Sequence, residues 1–184
     1  MTANLRFSPI YERPPCTLAD LLRQSYAPLL RDDPARWIPE SARWHEFDQS
    51  AYSTPAIASC VFLTWREETL IGFGSFDPRG APESARIGHN CIVPAAQRQG
   101  CGQKQLAEIL RRLDALGVGA VDAVTLDLPF FTPAQRMYRS AGFQIVARAR
   151  RSSDPSADQL HLRMAGRTSA RRRQTAALRN PSAD

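Results

Sequence analysis

The chain has 184 residues, of which 43% are hydrophobic, and a formal net charge of +6. That is the size of one domain with a core to bury, and it holds no apolar run long enough to span a membrane. The charge does not point to nucleic acid: Arg163, Arg167, Arg171, Arg172, Arg173 and Arg179 face only Asp184 in residues 163–184, so that segment supplies +5 and the remainder is near neutral.

The basic residues are 23 Arg and one Lys, which reads as compositional bias, and no specific nucleic-acid partner is expected. Residues 166–184 have almost no large apolar side chains and are expected to be a disordered tail behind a domain over 1–165. The opening residues lack the apolar segment of a signal peptide. Cys16, Cys60, Cys91 and Cys101 form no Cys-x-x-Cys pair, so reduced thiols in the cytoplasm are expected, with neither a disulfide framework nor a metal site.

In chain order, Leu5 to Ile10 reads as a strand. Thr17 looks like an N-cap with Asp20 as its capping-box partner, opening a helix with Leu18, Leu21, Leu22 and Leu29 at helical spacing. Pro28 should end or kink it. Asp33-Pro34 begins a second helix running unevenly to about Ser50, and Pro39 suggests a break. Trp37, Trp44, Phe47 and Tyr52 either line a cleft or pack the helices onto a sheet. Ser59 to Trp65 and Leu70 to Phe76 read as strands joined by a polar turn. Asp77, before Pro78, is either a turn former or a carboxylate available for chemistry.

Ala85 to Val93 reads as a strand stopped by Pro94, which has no N–H for a ladder. Gly100 and Gly102 then open a helix whose apolar face is Leu106, Ile109, Leu110, Leu113 and Leu116, ended by Gly117 and Gly119. Val121 to Leu128 is a strand. Thr132-Pro133-Ala134-Gln135 starts a helix with a Thr cap and Pro at its first position, and Gly142 stops it. Phe143 to Arg151 and Gln159 to Ala165 are the last strands. The sum is an α/β chain with a mixed, mostly antiparallel sheet and about four helices.

A strand, a glycine loop and a helix make an anion cradle, because unpaired N–H groups and the helix dipole converge at the helix start. A phosphorylated ligand is therefore expected against residues 97–103. Lys104 follows Gln103 with no Ser or Thr after it, which excludes an ATP loop. Gly100-Cys101-Gly102 supplies two glycines of a dinucleotide fingerprint, but Gln105 stands at the third, leaving Asp122 as the ribose acid of a poor match.

Gln97-Arg98-Gln99-Gly100-Cys101-Gly102 resembles the Gln/Arg-x-x-Gly-x-Gly/Ala signature of the GNAT superfamily of coenzyme A-dependent N-acyltransferases. Ile92-Val93-Pro94 is similar to the family's Val-x-Pro segment. Ala134, Tyr138, Gly142 and Phe143 match its Asn-x-x-Ala-x-x-x-Tyr-x-x-x-Gly-Phe segment, with Phe131 where the family has Asn. The resemblance covers roughly residues 70–165. It implies a single-domain fold with splayed central strands and transfer of an acetyl group from acetyl-CoA to a primary amine of a small molecule or peptide, by a monomer or homodimer.

The resemblance also implies roles. Backbone N–H groups over Gln97, Arg98, Gln99, Gly100, Cys101, Gly102 and Gln103 hold the pyrophosphate, with the Arg98 side chain as a helper. The strand ending at Ile92 and Val93 pairs with the pantetheine arm, and an N–H near Ile92 or Val93 receives the thioester oxygen. Tyr138 stands where the family's acid sits, or packs its helix. His89 takes the place of a family Glu and is either the base or a strand histidine bonded to its neighbours. The missing Asn and Glu leave open a second reading, a catalytically weak acyl-CoA-binding or regulatory module. Cys91 and Cys101 read as packing residues.

Overall fold

In a computed structural model, which describes residues 4–151 and 154–166, the strand-forming and helix-forming runs alternate much as their periodicities require. The elements are β1 (Leu5–Pro9), α1 (Thr17–Ser25), α2 (Ala27–Asp32), α3 (Pro34–Ser53), α4 (Pro55–Ala58), β2 (Val61–Arg66), β3 (Thr69–Asp77), β4 (Ala85–Ile92), α5 (Cys101–Ala115), β5 (Ala120–Leu126), α6 (Thr132–Ser140), β6 (Gln144–Arg151) and β7 (Asp154–Ala165). The strands hydrogen-bond in the order β1-β2-β3-β4-β5-β7-β6. The mixed α/β architecture is the expected one, with short α2 and α4 added to the four expected helices. The expected tail lies outside the described residues.

The chain divides into two units, Met1–Phe76 with Gly88–Ile109, and Asp77–Ile87 with Leu110–Asp184. In the first, β1 and β2 pair antiparallel, as do β2 and β3. The Val93 N–H donates to the Ile71 carbonyl at 2.8 Å and the His89 N–H to the Ser75 hydroxyl at 2.7 Å, so β3 and β4 run in opposite directions. Two glycines permit the packing here: a Cβ on Gly72 would lie 2.0 Å from the Cys91 carbonyl oxygen, and one on Gly74 2.5 Å from the Phe62 ring. Ile10, Leu18, Leu22, Leu63 and Phe73 are fully buried in the core between these strands and α1 and α3.

In the second unit, the start of β4 pairs with β5 in a parallel ladder of two residues, Ala85 with Val121 and Arg86 with Asp122. Strands β5, β7 and β6 follow antiparallel. Asp77 accepts from the Arg79 N–H at 3.1 Å and from its guanidinium, so it forms the turn before Pro78. Both Asp122 oxygens accept from Arg163, at 2.6 and 2.8 Å, so this acid is occupied by a strand neighbour. That removes the ribose acid of the dinucleotide reading.

Several local expectations are corrected. Thr17 is the first residue of α1 and its hydroxyl donates to the Pro14 carbonyl at 2.7 Å. The cap position is Cys16, at φ +75°. The acceptor comes from α3: Asp48 Oδ1 takes the Cys16 N–H at 2.7 Å, and Oδ2 takes those of Leu18 and Ala19 at 2.8 and 3.2 Å. Asp20 pairs with Arg23 instead. The expectation at Pro28 stands: α1 ends at Ser25, and Pro28 lies in the first turn of a new helix, α2, where its missing N–H has no partner to lose. Pro39 makes no break, since α3 runs through it from Pro34 to Ser53. Pro39 has no N–H for the Ala35 carbonyl, but both residues are exposed, where the carbonyl is open to solvent and the missing bond costs little. Thr132 has helical angles and caps nothing, because a 3-10 turn over Pro129–Phe131 leads straight into α6. Leu116 lies past the end of α5 and is exposed.

Asp48 is 1% exposed and satisfies three N–H donors at the start of α1. Asp48→Ala removes the acceptor of all three and leaves the buried Leu18 and Ala19 N–H groups unpaired, which should cost about 3 kcal/mol, read as a lower urea midpoint at unchanged m-value.

Candidate functional site

The loop after β4 is built by its backbone. Pro94–Ala96 forms a 3-10 turn. Arg98 at φ +59° and Gly100 at φ +78° then bend the chain twice through the left-handed region. Gly100 suits that conformation, and nothing lies within 4 Å of where its Cβ would be. Its carbonyl accepts the Lys104 N–H at 3.1 Å, which makes Gly100 the cap residue of α5. The N–H groups of Cys101, Gly102 and Gln103 therefore precede any carbonyl that the helix could offer them. No acidic residue occupies the first turn of α5. This is an open, electropositive cradle that fits a phosphate group.

The side chains around the loop are largely committed. The Gln97 amide donates to the Ile92 carbonyl at 2.8 Å, and the Ser25 hydroxyl donates to the same oxygen at 3.1 Å. Gln99 folds back onto the Ala95 carbonyl at 2.9 Å and accepts from Arg66. Arg98 is exposed. Cys101 is buried with Ile71, Ile92 and Ala96. These bonds bear on the strand end. The Val93 N–H is consumed by Ile71, so of the two expected oxyanion donors, Ile92 is the one whose N–H points away from β3, by the alternation of a strand.

His89 lies edge-on to Phe47 and Phe73, at ring distances of 4.8 and 5.7 Å. Burial there pushes its pKa down to about 4, because the charged form loses its water. The Cys91 thiol is pushed up to about 12 by burial, opposed by the Ser25 hydroxyl 2.9 Å away. A thiol in that state is no nucleophile. Trp37 and Trp44 are buried and stack on Tyr26 at 6.3 and 5.3 Å, Phe47 stacks on Phe73, and the Tyr52 hydroxyl donates to the Ile10 carbonyl at 3.1 Å. These four aromatics pack.

His89, Ile92, Val93 and Gln97 to Gln103 thus fall in the first unit. Tyr138 belongs to the second, where it is 6% exposed and its ring meets Phe143 edge-on at 5.4 Å. Ser25, Arg66 and Gln105 were not read from the sequence. Gln105 had a signal: it lies between Cys101 and Ile109 at four-residue spacing, a polar side chain on the buried stripe of α5, and it is 0% exposed. Ser25 and Arg66 had none, since their partners are 67 and 33 residues away. Among the described residues, no three His, Cys, Asp or Glu side chains gather as metal ligands, and no helix is long and apolar enough to cross a membrane.

The model of the acetyltransferase (GNAT) family matches residues 20–143, more than half of the chain. The chain belongs to this family. The match begins at residue 20, well before the segment that carries the GNAT motifs. No curated protein matches significantly in sequence. Solved acetyltransferase structures match it in fold. One from Desulfovibrio desulfuricans, ascribed to the GNAT family, is 19% identical over 88% of this chain and 99% of its own, with a TM-score of 0.67. The aminoglycoside 6'-N-acetyltransferase of Enterococcus faecium is 12% identical over 87% and 96%, at 0.58. The yncA protein of Salmonella typhimurium, solved with its cofactor acetyl-CoA, is 15% identical over 89% and 94%, at 0.58. At these identities the likeness is one of fold. GNAT proteins use acetyl-CoA.

His89 gives a stability prediction. Its pKa is 6.5 unfolded and about 4 folded, so the unfolded chain binds the extra proton between those values. Stability is then unaffected above pH 6.5 and falls as the pH drops toward 4. Between pH 7 and pH 5 the loss should be about 2 kcal/mol. His89→Leu should flatten the urea midpoint across that range relative to wild type.

Proposed function

We propose that the protein transfers the acetyl group of acetyl-CoA to a primary amine of a small molecule or peptide, by direct attack. The observation that carries this reading is the cradle at Gly100: an open left-handed glycine caps a helix whose first three N–H groups are unpaired within it. The fold shared with an aminoglycoside acetyltransferase supports an amine acceptor.

In this reading, the N–H groups of Cys101, Gly102 and Gln103 bind the pyrophosphate of coenzyme A and Arg98 adds charge. The Ile92 N–H receives the negative charge that grows on the thioester oxygen. The amine nitrogen bonds to the carbonyl carbon, the carbon–sulfur bond breaks, the amine loses a proton and the thiolate gains one. Tyr138 is proposed as the acid on the strength of its motif position. His89 is proposed as the proton acceptor; with its pKa near 4 it is unprotonated at neutral pH and always able to accept, though weakly.

Gly100→Glu puts bulk and negative charge into the cradle, and calorimetry should show loss of acetyl-CoA binding while the thermal melt persists; unchanged affinity sinks the assignment. Tyr138→Phe should lower kcat at least tenfold with little change in KM. A variant as fast as wild type would make Tyr138 purely a packing residue. If His89 accepts the proton, the acid limb of the pH–rate profile should lie near its folded pKa of about 4; a limb near 6.5 assigns the role elsewhere.

A further inference from the structure

The Gln105 amide is fully buried, one turn into α5, among groups from three strands. The Thr64 hydroxyl of β2 donates to its Oε1 at 2.5 Å. Its Nε2 donates to the Phe73 carbonyl of β3 at 2.8 Å and to Asn90 Oδ1 of β4 at 2.6 Å. The Cys91 carbonyl lies at 3.3 Å and shares those hydrogens. All the neighbours of Nε2 are acceptors and the neighbour of Oε1 is a donor, so the amide has one orientation that satisfies the niche.

Packing alone does not call for an amide. Leu106 and Ile109 fill the adjoining buried places with hydrocarbon, and a buried amide costs free energy unless every partner is in place. What distinguishes these partners is where they sit. Asn90 and Cys91 immediately precede Ile92. The Cys91 carbonyl and the Ile92 N–H belong to one planar peptide and point in opposite directions. A donor on that carbonyl fixes the plane and polarises it, which strengthens the N–H as a donor on its far side. Gln105 also lies one turn from Cys101, so the same helix that presents the cradle holds this peptide.

We propose that Gln105 is a positioning residue for acetyl transfer: locked by Thr64, its amide holds Asn90 and the peptide between Cys91 and Ile92 so that the Ile92 N–H meets the thioester oxygen. This rests on the proposed function above. It predicts a residue that tunes the reacting carbonyl without touching the ligand.

The test uses the full chain and acetyl-CoA labelled with carbon-13 at the thioester carbonyl. Infrared spectra of the wild-type complex should show that carbonyl band moved to lower wavenumber than in free acetyl-CoA, as a strong donor requires. In Gln105→Met the shift should shrink to about half, with the calorimetric Kd within threefold of wild type and kcat down about tenfold, a part of what losing the donor itself would cost. Thr64→Val, which unlocks the amide but keeps it, should move the band in the same direction by less, and carries the test if Gln105→Met does not fold. Wild type that fails to bind acetyl-CoA overturns the function itself. Wild type that binds, with the same band and kcat in every folded variant, overturns the positioning role alone.

Discussion

At Gly72 the strands β3 and β4 approach so closely that any side chain would collide with the Cys91 carbonyl, 2.0 Å from the place of its Cβ. The chemistry of the first unit follows from that approach. It sets the register in which Ile71 faces Val93 and Ser75 faces His89. The register in turn decides which backbone groups of β4 are spent on β3 and which face the other way. In the proposed function β4 offers its edge to an extended ligand, and there a fixed alternation matters, since a slip of one residue would exchange offered and spent groups.

The end of β4 is held from several directions at once. Ser25 of α1 and Gln97 of the loop both donate to the Ile92 carbonyl, while Val93 is tied to Ile71. With its carbonyl already taking two donors, this peptide has little accepting capacity left for a ligand. In the proposed function this point of the strand offers a ligand the Ile92 N–H, which suits a carbonyl-bearing partner better than an amide N–H. It also makes α1 part of the site's support although no residue of α1 belongs to a motif.

What the sequence made legible and what it hid separate along physical lines. The loop over Gln97 to Gly102 was readable because its conformation is written in local residue types: a proline that stops a strand, a glycine that takes positive φ, and an apolar stripe that begins straight afterward. Gly142 was legible as a helix stop in the same local way, and it follows α6 at φ +100°. The N-terminal third was read less well, because its decisive interactions are not local. Nothing near Thr17 announces that the cap is supplied by Asp48, and nothing near Pro39 announces that its exposed side tolerates a missing bond. Gln105 was visible only as an oddity on an apolar face, since its partners come from β2, β3 and β4.

The cap on α1 has a consequence for how the chain is made. Asp48 lies 30 residues beyond Leu18, and a chain leaves the ribosome N-terminus first. While α1 emerges, its first N–H groups have only water to bond, and a nine-residue helix is marginal by itself. It can be completed only after most of α3 has been synthesised and has folded back upon it. Nascent α1 therefore waits for α3, and the order of synthesis runs opposite to the order in which these two helices can be finished.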